Sequence, residues 1–121
     1  MLREKLGDEY KSVNHKFSVN GFDGYLTVGV NAQNKPLVLF VKMSKQGSTL
    51  GGLLDSFARM TSLALQYGVP LEVLVTKFKG TRFEPLGYTS NKKLPRADSI
   101  VDYIFQWLEA KYVGKDVSEN E

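Results

Sequence analysis

The chain has 121 residues, 42% hydrophobic and 24% charged, and it contains no cysteine. This length suits one globular domain, the composition opposes a disordered or membrane-spanning chain, and the missing thiols exclude disulfides, iron–sulfur clusters and cysteine zinc sites. The formal net charge is +3, but the segment 42–96 holds nine basic and three acidic residues, so we expect the middle of the chain to attract anions.

The two ends of the sequence bear on location and on domain boundaries. Residues 1–10 alternate charged and apolar side chains without the apolar core of a signal peptide, and no apolar run approaches the roughly 20 residues that span a bilayer. We expect a cytoplasmic protein. Residues 1–121 are predicted to form a single domain, with 1–14 and 114–121 as frayed tails.

The first half of the chain predicts a small antiparallel β-sheet. Residues 15–30 alternate β-branched or aromatic residues with polar ones, and Gly21 and Gly24 are expected in turns. Asn34 and Pro36 mark a further turn. The continuous apolar run 37–43 then indicates a more deeply buried strand.

Helical spacing of apolar residues replaces the strand pattern in the second half. Ser48 or Thr49 is expected to cap a long helix that ends at Gly68. Pro70 opens a shorter helix, which Gly80 stops. With one more helix near the C-terminus, the fold class is α+β: a small antiparallel sheet packed with a long central helix, a short helix and a C-terminal helix.

The last helix has an unusually wide apolar surface. Asp98 or Ser99 is expected to cap it, and apolar residues cover more than half of its circumference. Such a stripe is too wide for a helix that only rests on a small sheet. We therefore predict a homo-oligomer with Phe105, Trp107 and Tyr112 at the contact.

The start of the long helix is the first candidate binding site. Lys45, Gly47, Ser48 and Thr49 lie where a strand passes into a helix, and unpaired N–H groups at such a junction favour phosphate. The segment matches neither the Walker loop nor the GxGxxG fingerprint. Simple capping of the helix is the alternative interpretation.

The segment 80–91 is the second candidate site. It combines the cation Arg82, the aromatic rings of Phe83 and Tyr88, and the amide of Asn91. A base can stack on an aromatic ring while Asn binds its edge and Arg binds a phosphate. The alternative is that Phe83 and Tyr88 fill the core beneath a long loop.

No pattern in the sequence indicates catalysis or metal binding. His15 is the single histidine, and a lone histidine beside a strand is usually a surface or core residue. There is no nucleophile–histidine–acid signature and no HExxH motif. We expect a protein that is not an enzyme and has no metal and no cofactor; an undetected phosphodiesterase that uses Glu84 and His15 stays open.

Five runs of residues between about His15 and Leu108 carry a family resemblance. They resemble the C-terminal, TSCPD-type module of adenosylcobalamin-dependent ribonucleotide reductases, named after a Thr-Ser-Cys-Pro-Asp motif elsewhere in that family. The resemblance implies that radical chemistry belongs to a separate barrel domain, which this sequence lacks together with the zinc-ribbon cysteines of the full enzymes. The matching runs are Gly24–Gly29, Lys45–Ala58, Ser62–Phe78, Thr81–Thr89 and Ser99–Leu108.

The chain is also similar in size and layout to phage anti-defence proteins, the sponges that inhibit Thoeris immunity. Those proteins form oligomers that trap cyclic ADP-ribose-type signals, and some trap cyclic oligonucleotides. The shared residues are an aromatic ring and an asparagine before the last helix, here Phe83 and Asn91. Where sponges carry arginines on the last helix, this chain has Gln106 and Lys111. The likeness implies that four side chains contact the ligand: Phe83, Asn91, Gln106 and Lys111.

Two functional hypotheses result. The leading hypothesis is a non-enzymatic, nucleotide-binding oligomer that sequesters a cyclic nucleotide or cyclic ADP-ribose-type immune signal. Its partner would be a small nucleotide, with no membrane and no polymeric nucleic acid involved. The alternative is an accessory or regulatory module of an adenosylcobalamin-dependent ribonucleotide reductase.

Overall fold

Three long strands come first along the chain and three helices follow, with two short strands between the last two helices. The computed structural model describes residues 2–45 and 47–113, and this order confirms the predicted α+β class. The predicted tail 114–121 lies outside the described residues. The elements are β1 (Lys11–Val19), β2 (Phe22–Val30), β3 (Pro36–Met43), α1 (Ser48–Gln66), α2 (Leu71–Phe78), β4 (Gly87–Tyr88), β5 (Arg96–Ala97) and α3 (Ile100–Tyr112).

The chain divides into two compact units. The first consists of Met1–Phe17 and Asp23–Val69 and holds the three-stranded sheet and α1. The second consists of Ser18–Phe22 and the chain from Pro70 onward, with α2, α3 and the small β4–β5 sheet. The segment between α2 and α3 contains the two short strands.

The main sheet is antiparallel with the order β1-β2-β3. Asn20 and Gly21 have positive φ angles of 49° and 82°. These angles are typical of the two-residue hairpin turn that an Asn-Gly pair favours. Gly24, expected in a turn, instead lies inside β2 opposite Met43. A side chain there would collide with the Met43 sulfur and the backbone of Lys42, so this glycine permits close packing rather than a turn.

Helix α1 covers the outer edge of β3 and satisfies two of its backbone groups. The Leu39 N–H donates to Ser62 Oγ at 2.8 Å, and Gln66 Nε2 donates to the Leu37 carbonyl at 2.9 Å. Both polar side chains are buried. An edge strand with free N–H and C=O groups invites pairing with other chains, and these two bonds block that edge.

Helix α3 is buried in the folded chain. Phe105 is 1% and Trp107 8% exposed, and the Phe105 ring lies 5.7 Å from that of Phe78 on α2. Tyr112 is half-buried. The prediction that a second subunit covers this apolar surface is therefore wrong in its location, because one chain already covers most of it. Oligomer formation itself stays a prediction.

The segments 2–45 and 47–113 contain no helix that is both long and apolar enough to cross a membrane.

Candidate functional site

The start of α1 differs from the predicted cap. Gly47 is the N-cap residue, with φ −71° and ψ 171°, and no side chain caps the helix. Ser48 and Thr49 are exposed residues of its first turn, and Lys45 is exposed with φ 59°. An open cavity of about 550 Å³ is lined by Gly47 and Ser48, with Lys42 among its other residues. Phosphate binding here stays a prediction.

The other predicted site residues lie in the second unit, and three of them already have partners. Arg82 forms an exposed ion pair of 3.2 Å with Asp98. Asn91 Nδ2 donates to the Tyr103 hydroxyl at 3.1 Å. Gln106 Nε2 donates to the Arg96 carbonyl at 3.0 Å and to an Asp102 oxygen at 2.9 Å. Further hydrogen bonds join Asn91 to Thr89, Lys93 and Leu94.

The remaining three predicted residues are aromatic or lie beside an aromatic ring. Phe83 is 38% and Tyr88 72% exposed, and the Arg96 guanidinium lies 5.1 Å from the centre of the Tyr88 ring. Lys111 Nζ lies 5.8 Å from the centre of the Trp107 ring. At these exposures Phe83 and Tyr88 are not core residues, which opposes the interpretation that they fill the core. A nucleotide at these rings stays a prediction.

Asp102 holds both ends of the segment that carries these residues. Its carboxylate is buried and accepts hydrogen bonds from the N–H groups of Gly80 at 2.6 Å and Asp98 at 2.7 Å. Ser99, the N-cap of α3, accepts from the Asp102 N–H at 2.9 Å and donates to the Thr81 carbonyl at 2.6 Å. The segment is thus closed at its base by side chains of α3.

Tyr103 on α3 is a further fixed point of this segment. Burial raises the pKa of its phenol, and the hydrogen bond from Asn91 partly offsets that rise. A phenol with a pKa above its ordinary value is neutral at physiological pH. Tyr103 therefore contributes a neutral hydrogen-bond acceptor for Asn91, which helps to fix the loop.

A groove in the first unit was missed by the sequence analysis. It has a volume of about 830 Å³ and runs between α1 and the sheet face that carries Tyr25 and Phe40, which are 43% and 56% exposed. Lys42 lies opposite Tyr25 across β2 and β3, and Thr27 lies opposite Phe40. We call it the aromatic groove; its lining residues include Asn14, Tyr25, Thr27, Phe40, Lys42, Asp55 and Arg59.

The model of one protein family, the TSCPD domain, matches residues 5–112 of this chain. The chain belongs to the TSCPD domain family. This finding confirms the resemblance inferred from the five runs of residues. It also covers both units, since the match extends from before β1 to the end of α3.

The curated relatives of this TSCPD domain named here are all vitamin B12-dependent ribonucleotide reductases. The protein of Rhodopirellula baltica is 52% identical over 96% of the chain, which corresponds to 11% of the relative. That of Streptantibioticus cattleyicolor is 43% identical over 93% of the chain and 19% of the relative. The chain therefore spans less than a fifth of the length of these proteins. No solved structure matches it.

The leading hypothesis from the sequence, a phage sponge for cyclic immune signals, is wrong. The TSCPD match and the matches to the reductase relatives each cover nearly the whole chain. Nothing in the comparisons points to an anti-defence protein. The likeness to sponges rested on element order, an aromatic ring and Asn91. That asparagine is bonded to Tyr103 and Lys93, so a loop-bracing role accounts for it without a ligand.

Proposed function

We propose that this TSCPD domain is a non-catalytic accessory module of a B12-dependent ribonucleotide reductase and docks on the part of the enzyme that performs the reduction. The observation that carries the proposal is the 52% identity to the Rhodopirellula baltica reductase over 96% of the chain. Identity of this extent covers the sheet, all three helices and the loop between α2 and α3. The identity supports the same role for this chain and for the matching segment of the Rhodopirellula baltica reductase.

Among the described residues, the side chains offer no ligand set for the metal of the cofactor in the relatives' name. B12 carries a cobalt ion, and histidine is the commonest protein ligand for metals. His15, the one histidine, lies half-buried in β1 with its ring 6.2 Å from that of Phe17. Residues 2–45 and 47–113 contain no group of three His, Asp or Glu that could hold a metal. The proposal places no step of B12 chemistry in this domain.

The outer surface of α1 is the docking surface that the geometry favours. Leu53 and Met60 are 65% and 73% exposed, and Leu63 and Tyr67 are also exposed. Residues 53, 60 and 67 are seven positions apart and therefore lie along one side of the helix. We call these four residues the α1 stripe. Large apolar groups aligned in this way mark contacts with another protein surface.

A charge placed in the α1 stripe should weaken docking without unfolding the domain. The binding partner in this test is the Rhodopirellula baltica reductase from which the matching segment has been deleted. Met60→Glu is expected to reduce the affinity for this truncated reductase by about tenfold or more, since a buried unpaired carboxylate is costly. Its melting temperature should stay within about 2 °C of the wild-type value, because Met60 is exposed. Isothermal titration calorimetry and a thermal melt measure the two effects.

Val73→Glu is the matched control, because Val73 is an exposed apolar residue of a different helix, α2. We expect it to bind as the wild type does. Wild-type protein that does not bind the truncated reductase would refute docking. Equal losses from both substitutions would show that net charge, and not the α1 stripe, governs the association.

A further inference from the structure

We infer that the aromatic groove binds a nucleoside phosphate, with the base against its aromatic rings and the phosphate at its cations. The groove is separate from the α1 stripe, because none of the four stripe residues lines it. The inference therefore goes beyond docking on a reductase. It can hold or fail by itself.

Two aromatic rings give the groove a surface for a flat ligand. Tyr25 on β2 and Phe40 on β3 are diagonal neighbours, because Tyr25 pairs with Lys42 and Phe40 with Thr27. Side chains in this relation are about 7–8 Å apart at the backbone and point from the same face of the sheet. Among the described residues, neither ring has an aromatic or cation–π contact. Their faces are therefore free to stack on a base.

The charges beside the rings favour an anion. Lys42 and Arg59 line the groove together with one acid, Asp55. Within residues 2–45 and 47–113, none of these three charged groups has an ion-pair or hydrogen-bond partner. Two unpaired cations against one carboxylate attract a phosphate. Lys42 and Asp55 also line the cavity at the start of α1, which leaves room for more than one phosphate.

Polar groups on the same sheet face can select among bases. Thr27 Oγ1 donates to Asn14 Oδ1 at 2.7 Å, which fixes the Asn14 amide. The NH₂ group of Asn14 takes no part in that bond, so its two N–H donors can bind a base oxygen or ring nitrogen. Asp55 can accept a hydrogen bond from an amino group or a ribose hydroxyl. This set of donors and acceptors matches the edge of a nucleoside.

The size and polarity of the groove favour a small molecule over a protein surface. Its volume of about 830 Å³ lies within the range of small-molecule sites, about 300–1,000 Å³. A flat apolar partner would bury Lys42, Asp55 and Arg59 without compensating charges, which opposes association. A nucleotide carries both the flat apolar ring and the phosphates that these side chains require.

Calorimetric titration of the isolated chain with ATP, adenosine and tripolyphosphate tests the inference. We expect ATP to bind, and adenosine and tripolyphosphate each to bind at least tenfold more weakly, because each lacks half of the contacts. Phe40→Ala should weaken ATP binding about tenfold or more. Lys42→Ala should also weaken it and reduce its dependence on salt.

Phe22→Ala is the control, since Phe22 is a similarly exposed phenylalanine that does not line the groove. It should bind ATP as the wild type does, and thermal melts should show all three variants folded. Three results would overturn the inference: no ATP binding at millimolar concentration, tripolyphosphate binding as tightly as ATP, or Phe40→Ala binding at full strength. None of them involves the reductase, so they leave the docking proposal untouched.

Discussion

Replacing Asp102 by alanine is expected to lower the free energy of unfolding by about 3–5 kcal/mol. The carboxylate accepts from the N–H groups of Gly80 and Asp98 and from Gln106. Alanine would remove two hydrogen bonds from backbone N–H groups to a charged acceptor, and each bond of this kind contributes about 1.5–3 kcal/mol. Urea denaturation followed by circular dichroism measures the change.

Two further substitutions separate the role of Asp102 from a general charge effect. Asp102→Asn keeps the volume but turns one acceptor into a donor, so it should destabilise nearly as much. Asp98→Ala removes a partly exposed carboxylate whose ion pair with Arg82 is on the surface, and it should cost less than about 1 kcal/mol. An Asp102→Ala protein as stable as the wild type would contradict the account of the loop.

Phe105→Ala is expected to cost about 3–5 kcal/mol of folding stability, the usual loss for a large buried aromatic side chain. Phe105 is 1% exposed and its ring packs on Phe78. Because this burial occurs within one chain, the loss should not depend on protein concentration. A residue at an oligomer contact would behave differently, with a melting temperature that rises with concentration.

Phe83→Ala provides the comparison for Phe105. The Phe83 side chain is 38% exposed, so its removal should cost only about 1 kcal/mol, within the usual range for partly exposed residues. Melts of both variants at two protein concentrations tenfold apart decide the matter. Equal losses for the two variants would show that Phe83 fills the core after all, as the alternative interpretation of the sequence held.

Much of the fold follows from local signals in the sequence. Positive φ angles at Asn20 and Gly21 make the expected hairpin, Pro70 precedes α2, and Ser99 caps α3 as the sequence predicts. These features depend on neighbouring residues only. The covering of α3 depends instead on which elements pack against it, and hydrophobic periodicity cannot distinguish burial within one chain from burial by another.

The candidate sites were harder to predict for the same reason. The aromatic groove needs the register that pairs Tyr25 with Lys42 and a helix that brings Arg59 to the same groove. Neither relation is visible along the sequence. Asp102 did have a local signal, because Ser99 and Asp102 have the spacing of a capping box. Its carboxylate bonds to Gly80, however, 22 positions away, which only the fold reveals.

A chimeric reductase tests the proposed function most directly. In it, this chain replaces the matching 11% of the Rhodopirellula baltica protein, and ribonucleotide reduction is compared with that of the native enzyme and of a deletion lacking the segment. An accessory module predicts a deletion with reduced activity, a chimera restored to within a few-fold of native, and no reduction by this chain alone. A folded chimera no more active than the deletion, or a deletion as active as the native enzyme, would contradict it.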